Sequence, residues 1–261
     1  MPGKPRYFPR NIGVSSPPGE SVHEFVVVWR HEFGSLPKIL DVFSRHKAKV
    51  LLTHSQLDRP TNTVVGTFFC DVAQADQSVE ELRKEIRNLD FVQDADFASA
   101  QRSIFDKFLF PVTVWGRDRV IVMRMDPMFN IERRLTAELG SAGAAIMFGE
   151  GEGYSSETIK HYQEVLGGVS AEMLLENVED GLRATGWGLF DFKETKEGYV
   201  VTVQDAPTLK GATEPSRFLC GVIAGILESI FSVKMKVVES TLDYEGQRVI
   251  VRLAKTADQT A

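Results

Sequence analysis

From residue 24 onward the chain alternates between short apolar runs and amphipathic stretches. FVVVW (25–29) is a continuous apolar run of strand length and predicts a buried strand. Leu36, Ile39, Leu40 and Phe43 then recur at helical spacing, with Gly34 and Ser35 as the start signal. KAKVLLTHS (47–55) partly alternates like a half-buried strand, and NTVVGTFFCDV (62–72) predicts another after the turn Asp58-Arg59-Pro60-Thr61. Val79, Leu82, Ile86 and Leu89 mark a second amphipathic helix, and the alternation of FVQDADF (91–97) predicts a last strand.

A second block begins near Ile104. It opens with two strands around a turn at Gly116-Arg117, followed by a helix that ends at Leu139 with Gly140 as terminator. AAIMF (144–148) reads as a short strand, and the alternating glycines and acids of GEGEG (149–153) read as a loop. A helix over 155–166 follows, capped by Ser155 or Ser156 and broken by Gly167-Gly168. The next helix starts at the cap Ser170 and stops at Gly186. A hairpin turning at Lys196-Glu197-Gly198, the helix PSRFLCGVIAGILESIF and a final hairpin, KMKVVESTLDYEGQRVIVRL, complete the chain. These patterns divide it into an arm (1–22), a first domain (23–100), a second domain (101–255) and a short tail (256–261).

The order βαββαβ in the first domain is the split-βαβ arrangement of ferredoxin-like folds. EFVVVWRHEFGSLPKILDVFSRHKAKVL also resembles the opening of ACT domains, in which a strand leads through a loop ending in Gly-x-Leu to a helix; Gly34 and Leu36 match. His31 stands where many ACT domains have Asp, and Phe33 where many have Pro. The resemblance implies side-by-side pairing and an effector site at the loop before the first helix, near Glu32, Gly34 and Ser35. A dimerisation module without a ligand is the other reading.

The second domain resembles the 4-vinyl-reductase domain family. FPVTVWGRDRVIVMR, LGSAGAAIMF, ATGWG, FLCGVIAGILESIF, KVVEST and the Tyr-Glu-Gly turn carry that resemblance in order. It implies an α/β fold like that of TRAPP components, dimerisation, and an apolar pocket for small or hydrophobic ligands. Some relatives hold zinc through cysteines and a glutamate near the last hairpin. Here Glu239 is present, but Leu242 and Ile250 occupy hairpin positions where cysteines would stand. One carboxylate cannot supply a tetrahedral zinc site, so no metal is expected.

Composition narrows the function. A formal charge of −6 and a pI near 5.5 leave no basic field for nucleic acid or anionic lipid. The longest apolar run, 218–227, is too short to cross a bilayer, and the first residues have no apolar signal core, so a cytoplasmic protein is expected. Cys70 and Cys220 form no CxxC pair and read as reduced, buried thiols. The histidines lack HxH or HExxH spacing and no GxSxG occurs, so no catalytic residue is assigned. The glycine loop is not a phosphate cradle: the Walker Gly-Lys-Ser/Thr ending is missing, and Glu150, Glu152 and Glu157 would repel an anion.

Gly221 and Gly225, four apart with Ala224 beside them, leave one helix face nearly bare, which suits either a packed neighbour or a ligand. Phe148, Gly151, Tyr154, Phe218, Gly221, Val222 and Gly225 are the ligand-binding candidates. The expected function is a dimeric, non-catalytic sensor with no cofactor. It would bind a small hydrophobic or aromatic molecule in the second domain and signal to a partner protein. Two alternatives stand beside it: an assembly protein without a ligand, and an enzyme or accessory subunit of tetrapyrrole reduction.

Overall fold

The structure, a computed structural model, describes residues 13–15, 18–99, 103–109, 111–114, 118–209 and 212–256. The chain divides into two compact units, Met1–Val122 and Met123–Ala261. The first unit therefore extends past residue 100, after which the hydropathy pattern places the boundary.

In the first unit, β2 (Val22–Arg30), β3 (Lys49–Asp58), β4 (Thr63–Asp71) and β5 (Val92–Ser99) form an antiparallel sheet in the order β3-β4-β2-β5. Helix α1 (Ser35–Arg45) links β2 to β3, and α2 (Val79–Arg87) links β4 to β5. This is the ferredoxin-like βαββαβ fold. Strand alternation sends Phe25, Val27, Trp29, Val64, Phe68 and Cys70 to one face, where they pack with Ile39, Val42 and Phe43 of α1 and Leu82 and Ile86 of α2. Helix α2 starts with a reciprocal capping box: Glu81 N–H donates to Ser78 Oγ at 3.3 Å, and Ser78 N–H donates to Glu81 Oε2 at 2.8 Å. His46, at the end of α1, holds Asp76 and Glu85 through its two ring nitrogens, each at 2.9 Å, and so ties α1 to α2 and the loop before it.

The opposite face of this sheet is also covered. β1 (Gly13–Ser15), within the expected arm, pairs with β6 (Ser103–Phe105) in a two-stranded ribbon. Val22 and Phe69 are fully buried there, with Val14 packed against them. A short hairpin, β7 (Thr113–Val114) and β8 (Asp118–Arg119), follows. The turn expected at Gly116-Arg117 lies outside the described residues, as do most of the arm and all but residue 256 of the tail.

The second unit is mixed α/β. Its antiparallel sheet has the order β11-β12-β10-β9, built from β9 (Leu189–Glu194), β10 (Gly198–Gln204), β11 (Met235–Asp243) and β12 (Arg248–Lys255). The helices are α3 (Met125–Leu139), α4 (Ser141–Leu166), α5 (Ala171–Ala184) and α6 (Arg217–Phe231). Both expected hairpins and the expected cap Ser170 are present, and Ser216 also caps α6; their hydroxyls accept from the N–H groups of Met173 and Leu219. Glu132 of α3 is buried and accepts from Ser216 Oγ at 2.6 Å and from the Arg217 N–H, placing a carboxylate at the positive end of α6.

One expectation fails here. AAIMF is not a strand, GEGEG is not a loop, and neither Ser155 nor Ser156 is a cap. All lie inside α4, one 26-residue helix. Its buried positions, Gly143, Met147, Gly151, Ser155, Ile159 and Tyr162, follow one another at intervals of three or four and form a single stripe. At its middle the stripe narrows to Gly151 and Ser155 because α4 crosses α6 at backbone contact, while Gly143 lies against the Leu135 carbonyl of α3. A Cβ on Gly151 would stand 2.2 Å from the Phe218 carbonyl oxygen, and one on Gly221 would stand 2.0 Å from that of Phe148. Ser155 Oγ donates across the crossing to the Val222 carbonyl at 2.8 Å, besides its own helix's Gly151 carbonyl at 3.1 Å.

The glycines of α4 and α6 should therefore separate by location. Gly221→Ala is expected to destabilise by about 2 kcal/mol through overpacking. Gly153→Ala, which meets nothing within 4 Å, should stabilise by up to about 1 kcal/mol through helix propensity. Denaturant titration of both variants checks the opposed signs; equal shifts in one direction would remove the close-contact account.

Candidate functional site

At one end of the first unit's sheet the chain leaves β2, loops and enters α1, and a cleft of about 510 Å3 opens there. Its walls are residues 29 and 31–37 from the end of β2 to the start of α1, residues 55–57 of β3, and Val64 of β4. Trp29 and Val64 are buried and supply an apolar floor. Gly66 makes room for that floor, since a Cβ there would lie 2.7 Å from the Trp29 ring.

The loop is held by backbone geometry rather than by bulk. His31 N–H donates to the Asn62 carbonyl at 3.0 Å and anchors the exit from β2. Gly34 adopts the left-handed region at φ 81°, which a residue with a Cβ enters only with strain. Ser35 is buried and closes the turn twice: its N–H donates to the Glu32 carbonyl at 3.2 Å and its Oγ to the same oxygen at 2.8 Å. The Glu32 carboxylate pairs with Arg30 at 3.2 Å, both half-exposed. Phe33 projects fully into solvent at the mouth, with the exposed Leu57 on another wall of the same cleft.

Glu32, Gly34 and Ser35 are thus brought together on one wall, where the ACT resemblance places an effector site. Sequence reasoning missed the partners across the cleft, Ser55, Gln56 and Leu57, because they belong to a strand whose edge is exposed only in the folded sheet. An apolar floor with a rim of hydroxyl, amide and carboxylate groups suits a small molecule with an apolar body and a polar end. Neither cysteine lines it. Both cysteines are buried elsewhere; burial raises the Cys70 thiol far above its usual range and pushes Cys220 up to about 11, so both stay protonated at neutral pH. Among the described residues, no group of three or more His, Cys, Asp or Glu is placed to hold a metal ion.

The candidates of the second unit separate into two sets. Phe148, Gly151, Gly221, Val222 and Gly225 meet at the α4–α6 crossing. A Cβ on Gly225 would lie 2.8 Å from the Glu152 carbonyl and 3.0 Å from Ser155 Cβ. The bare face of α6 is therefore occupied by α4, not left open for a ligand. Tyr154 and Phe218 instead form an aromatic group with Trp187, with ring centroids 5.7 to 6.1 Å apart. Tyr154 is 44% exposed, so this group reaches the surface. A smaller hollow of about 320 Å3 lies at the turn between α4 and α5, beside Gln163, Val169, Leu174 and Ile230.

The Ser35 hydroxyl shapes the cleft wall and is expected to be worth about 1 kcal/mol as a side-chain hydrogen bond. Ser35→Ala should lower the denaturation midpoint accordingly and speed amide exchange over residues 31–36, leaving α2 unaffected. Unchanged exchange in that loop would show that the hydroxyl does not set its shape.

No protein-family model matches the chain. No curated protein matches it either. Among solved structures, it is similar to the ACT domain from the GTP pyrophosphokinase of Chlorobium tepidum, with 10% identity over 30% of this chain and 99% of that one, at a TM-score of 0.26. The C-terminal domain of the MgtC protein from Mycobacterium tuberculosis shares 12% identity over 33% of this chain and 93% of that one, at a TM-score of 0.28. The phenol-responsive sensory domain of the transcription activator PoxR, solved with phenol, shares 13% identity over 55% of this chain and 80% of that one, at a TM-score of 0.44.

Proposed function

We propose that this protein is a non-catalytic, small-molecule-binding regulatory protein whose ligand occupies the cleft at the β2–α1 loop. The observation that carries this reading is the cleft itself: about 510 Å3, a buried tryptophan floor and a polar rim, built by a loop that two Ser35 hydrogen bonds hold in shape. The volume lies within the range of small-molecule sites. A ligand regulates only if it prefers one state of the protein over another. The loop over residues 31–34 supplies such an element, because a few hydrogen bonds and one left-handed glycine decide its course. The exposed Phe33 at the mouth supports a homodimer in which a second copy or the ligand covers it.

The site is placed in the first unit rather than the second because the glycine face of α6 is filled by helix α4. The aromatic group of Tyr154, Trp187 and Phe218 keeps one alternative for the second unit, a flat surface for an aromatic ring.

Native mass spectrometry of the purified chain, alone and with aromatic amino acids or small aromatic acids at millimolar concentration, tests the proposal. A dimer that gains one ligand mass per subunit, with a raised melting temperature, is the expected result. At a ligand concentration of a hundred Kd the added stability is about 2.7 kcal/mol. Ser55→Phe, at an exposed position on the cleft wall, should fill the cleft and weaken binding at least tenfold with no change in fold. Binding that survives Ser55→Phe and is lost in Trp187→Ala would move the site to the second unit. A dimer that binds none of these molecules would favour an assembly role.

A further inference from the structure

The face of the first unit's sheet opposite the helices holds a buried carboxyl group. Glu24 is the third residue of β2 and has no exposed surface. Its carboxylate oxygens accept the Lys107 backbone N–H at 3.0 and 3.3 Å, and its side chain is in hydrogen-bond contact with Asp106. Asp106 in turn accepts from Thr67 Oγ1 at 3.3 Å, and its other oxygen accepts the N–H groups of Phe108 and Leu109 at 3.1 and 2.7 Å. Thr67 is fully buried. Lys107 Nζ donates to the Ser99 carbonyl at 3.0 Å. Segment 103–109 is therefore fixed across the sheet at three strands: β2 through Glu24, β4 through Thr67 and β5 through Ser99.

Two carboxyl groups in hydrogen-bond contact need a proton between them. With one, a donor faces an acceptor; without it, two negative charges repel where the burial of Glu24 weakens screening by water. We infer that the Glu24–Asp106 pair is a proton-operated latch that fastens segment 103–109 to the sheet and lets it go when the shared proton is lost. The segment belongs to the first unit, which runs on to Val122.

The electrostatics agree in sign. Burial first, and then Asp106, push the Glu24 carboxyl up to about 7, against the opposing pull of the Lys107 N–H and ammonium. A raised carboxyl value means that the folded state holds a proton the free chain would release. The stabilisation is complete below the ordinary value of 4.5, falls as pH rises, and is gone above about 7. The charged groups facing Glu24 are Asp106 and Lys107, both from the segment it holds. Its neighbours across the ladder, Phe69 of β4 and Ala98 of β5, carry no charge. Asp96 of β5 stands opposite Val26, one pair further along the same face. His23 is turned to the other face, against Phe97, with its ring nitrogens on Ser21 and Ser99.

Backbone hydrogen exchange of the full chain from pH 5 to 9, corrected for intrinsic rates on the denatured protein, reads the latch directly. In the wild type, protection of peptides covering 103–109 should fall at least tenfold, with a midpoint near 7, while the β10 and β12 amides of the second unit stay constant. Glu24→Gln keeps a donor for Asp106 and an acceptor for Lys107 and should abolish the pH dependence. Asp106→Asn keeps the turn acceptor, removes the repulsion and should shift the midpoint to lower pH. A flat wild-type profile overturns the inference, as does a midpoint unchanged in both variants.

Discussion

Backbone-to-backbone contact between α4 and α6 is the constraint on which the second unit rests. Each helix places glycine where the other presents a carbonyl: Gly151 against Phe218, Gly221 against Phe148 and Gly225 against Glu152. Such contact brings the helix axes closer than larger side chains allow. Four glycines in α4, at 143, 149, 151 and 153, lower its intrinsic helix preference by about 1 kcal/mol each, and only Gly151 is repaid at the crossing, Gly143 lying instead against the Leu135 carbonyl of α3. The Ser155 bond to the Val222 carbonyl fixes the register of the crossing. Once α6 is seated, its apolar residues meet β10 and β12 in one core, and Glu132 ties α3 to its first turn.

The first unit is organised differently. Its core is filled by large side chains, Phe25, Phe43, Phe68 and Trp29, between sheet and helices. Gly34 lets the chain turn sharply into α1, and Gly66 gives the Trp29 ring its place. The consequence is a loop whose interior is open. Close packing at the α4–α6 crossing and an open cleft in the first unit are the two outcomes of where small residues fall.

The ferredoxin-like unit was legible in the sequence because its strands and helices carry clear periods. The apolar run at 25–29 and the helical spacing of Ile39 and Phe43 have no competing reading. The caps Ser78, Ser170 and Ser216 sit before helices, although the hydropathy pattern marks only Ser170 of the three as a cap. The middle of α4 was misread because glycine normally punctuates structure, and GEGEG has the composition of a loop. Its helical stripe of small residues shows only when Gly143, Gly151 and Ser155 are counted as core, which hydropathy does not do. The same blindness affected the site. Whether Gly221 and Gly225 met a ligand or a helix depended on a partner nearly seventy residues away in the chain. Glu24, an acid within an apolar strand, is the sequence signal for a buried carboxyl group, but Asp106 could be joined to it only through the fold.

The measurement that bears most directly on the central claim is a backbone and indole N–H chemical-shift map of the full chain during titration with the molecule that raises its melting temperature most. The account predicts saturable shifts at the Trp29 indole, at residues 31–37 and at 55–57, with the α4–α6 crossing unchanged. Shifts confined to Tyr154, Trp187 and Phe218, with the Trp29 indole still, would contradict it.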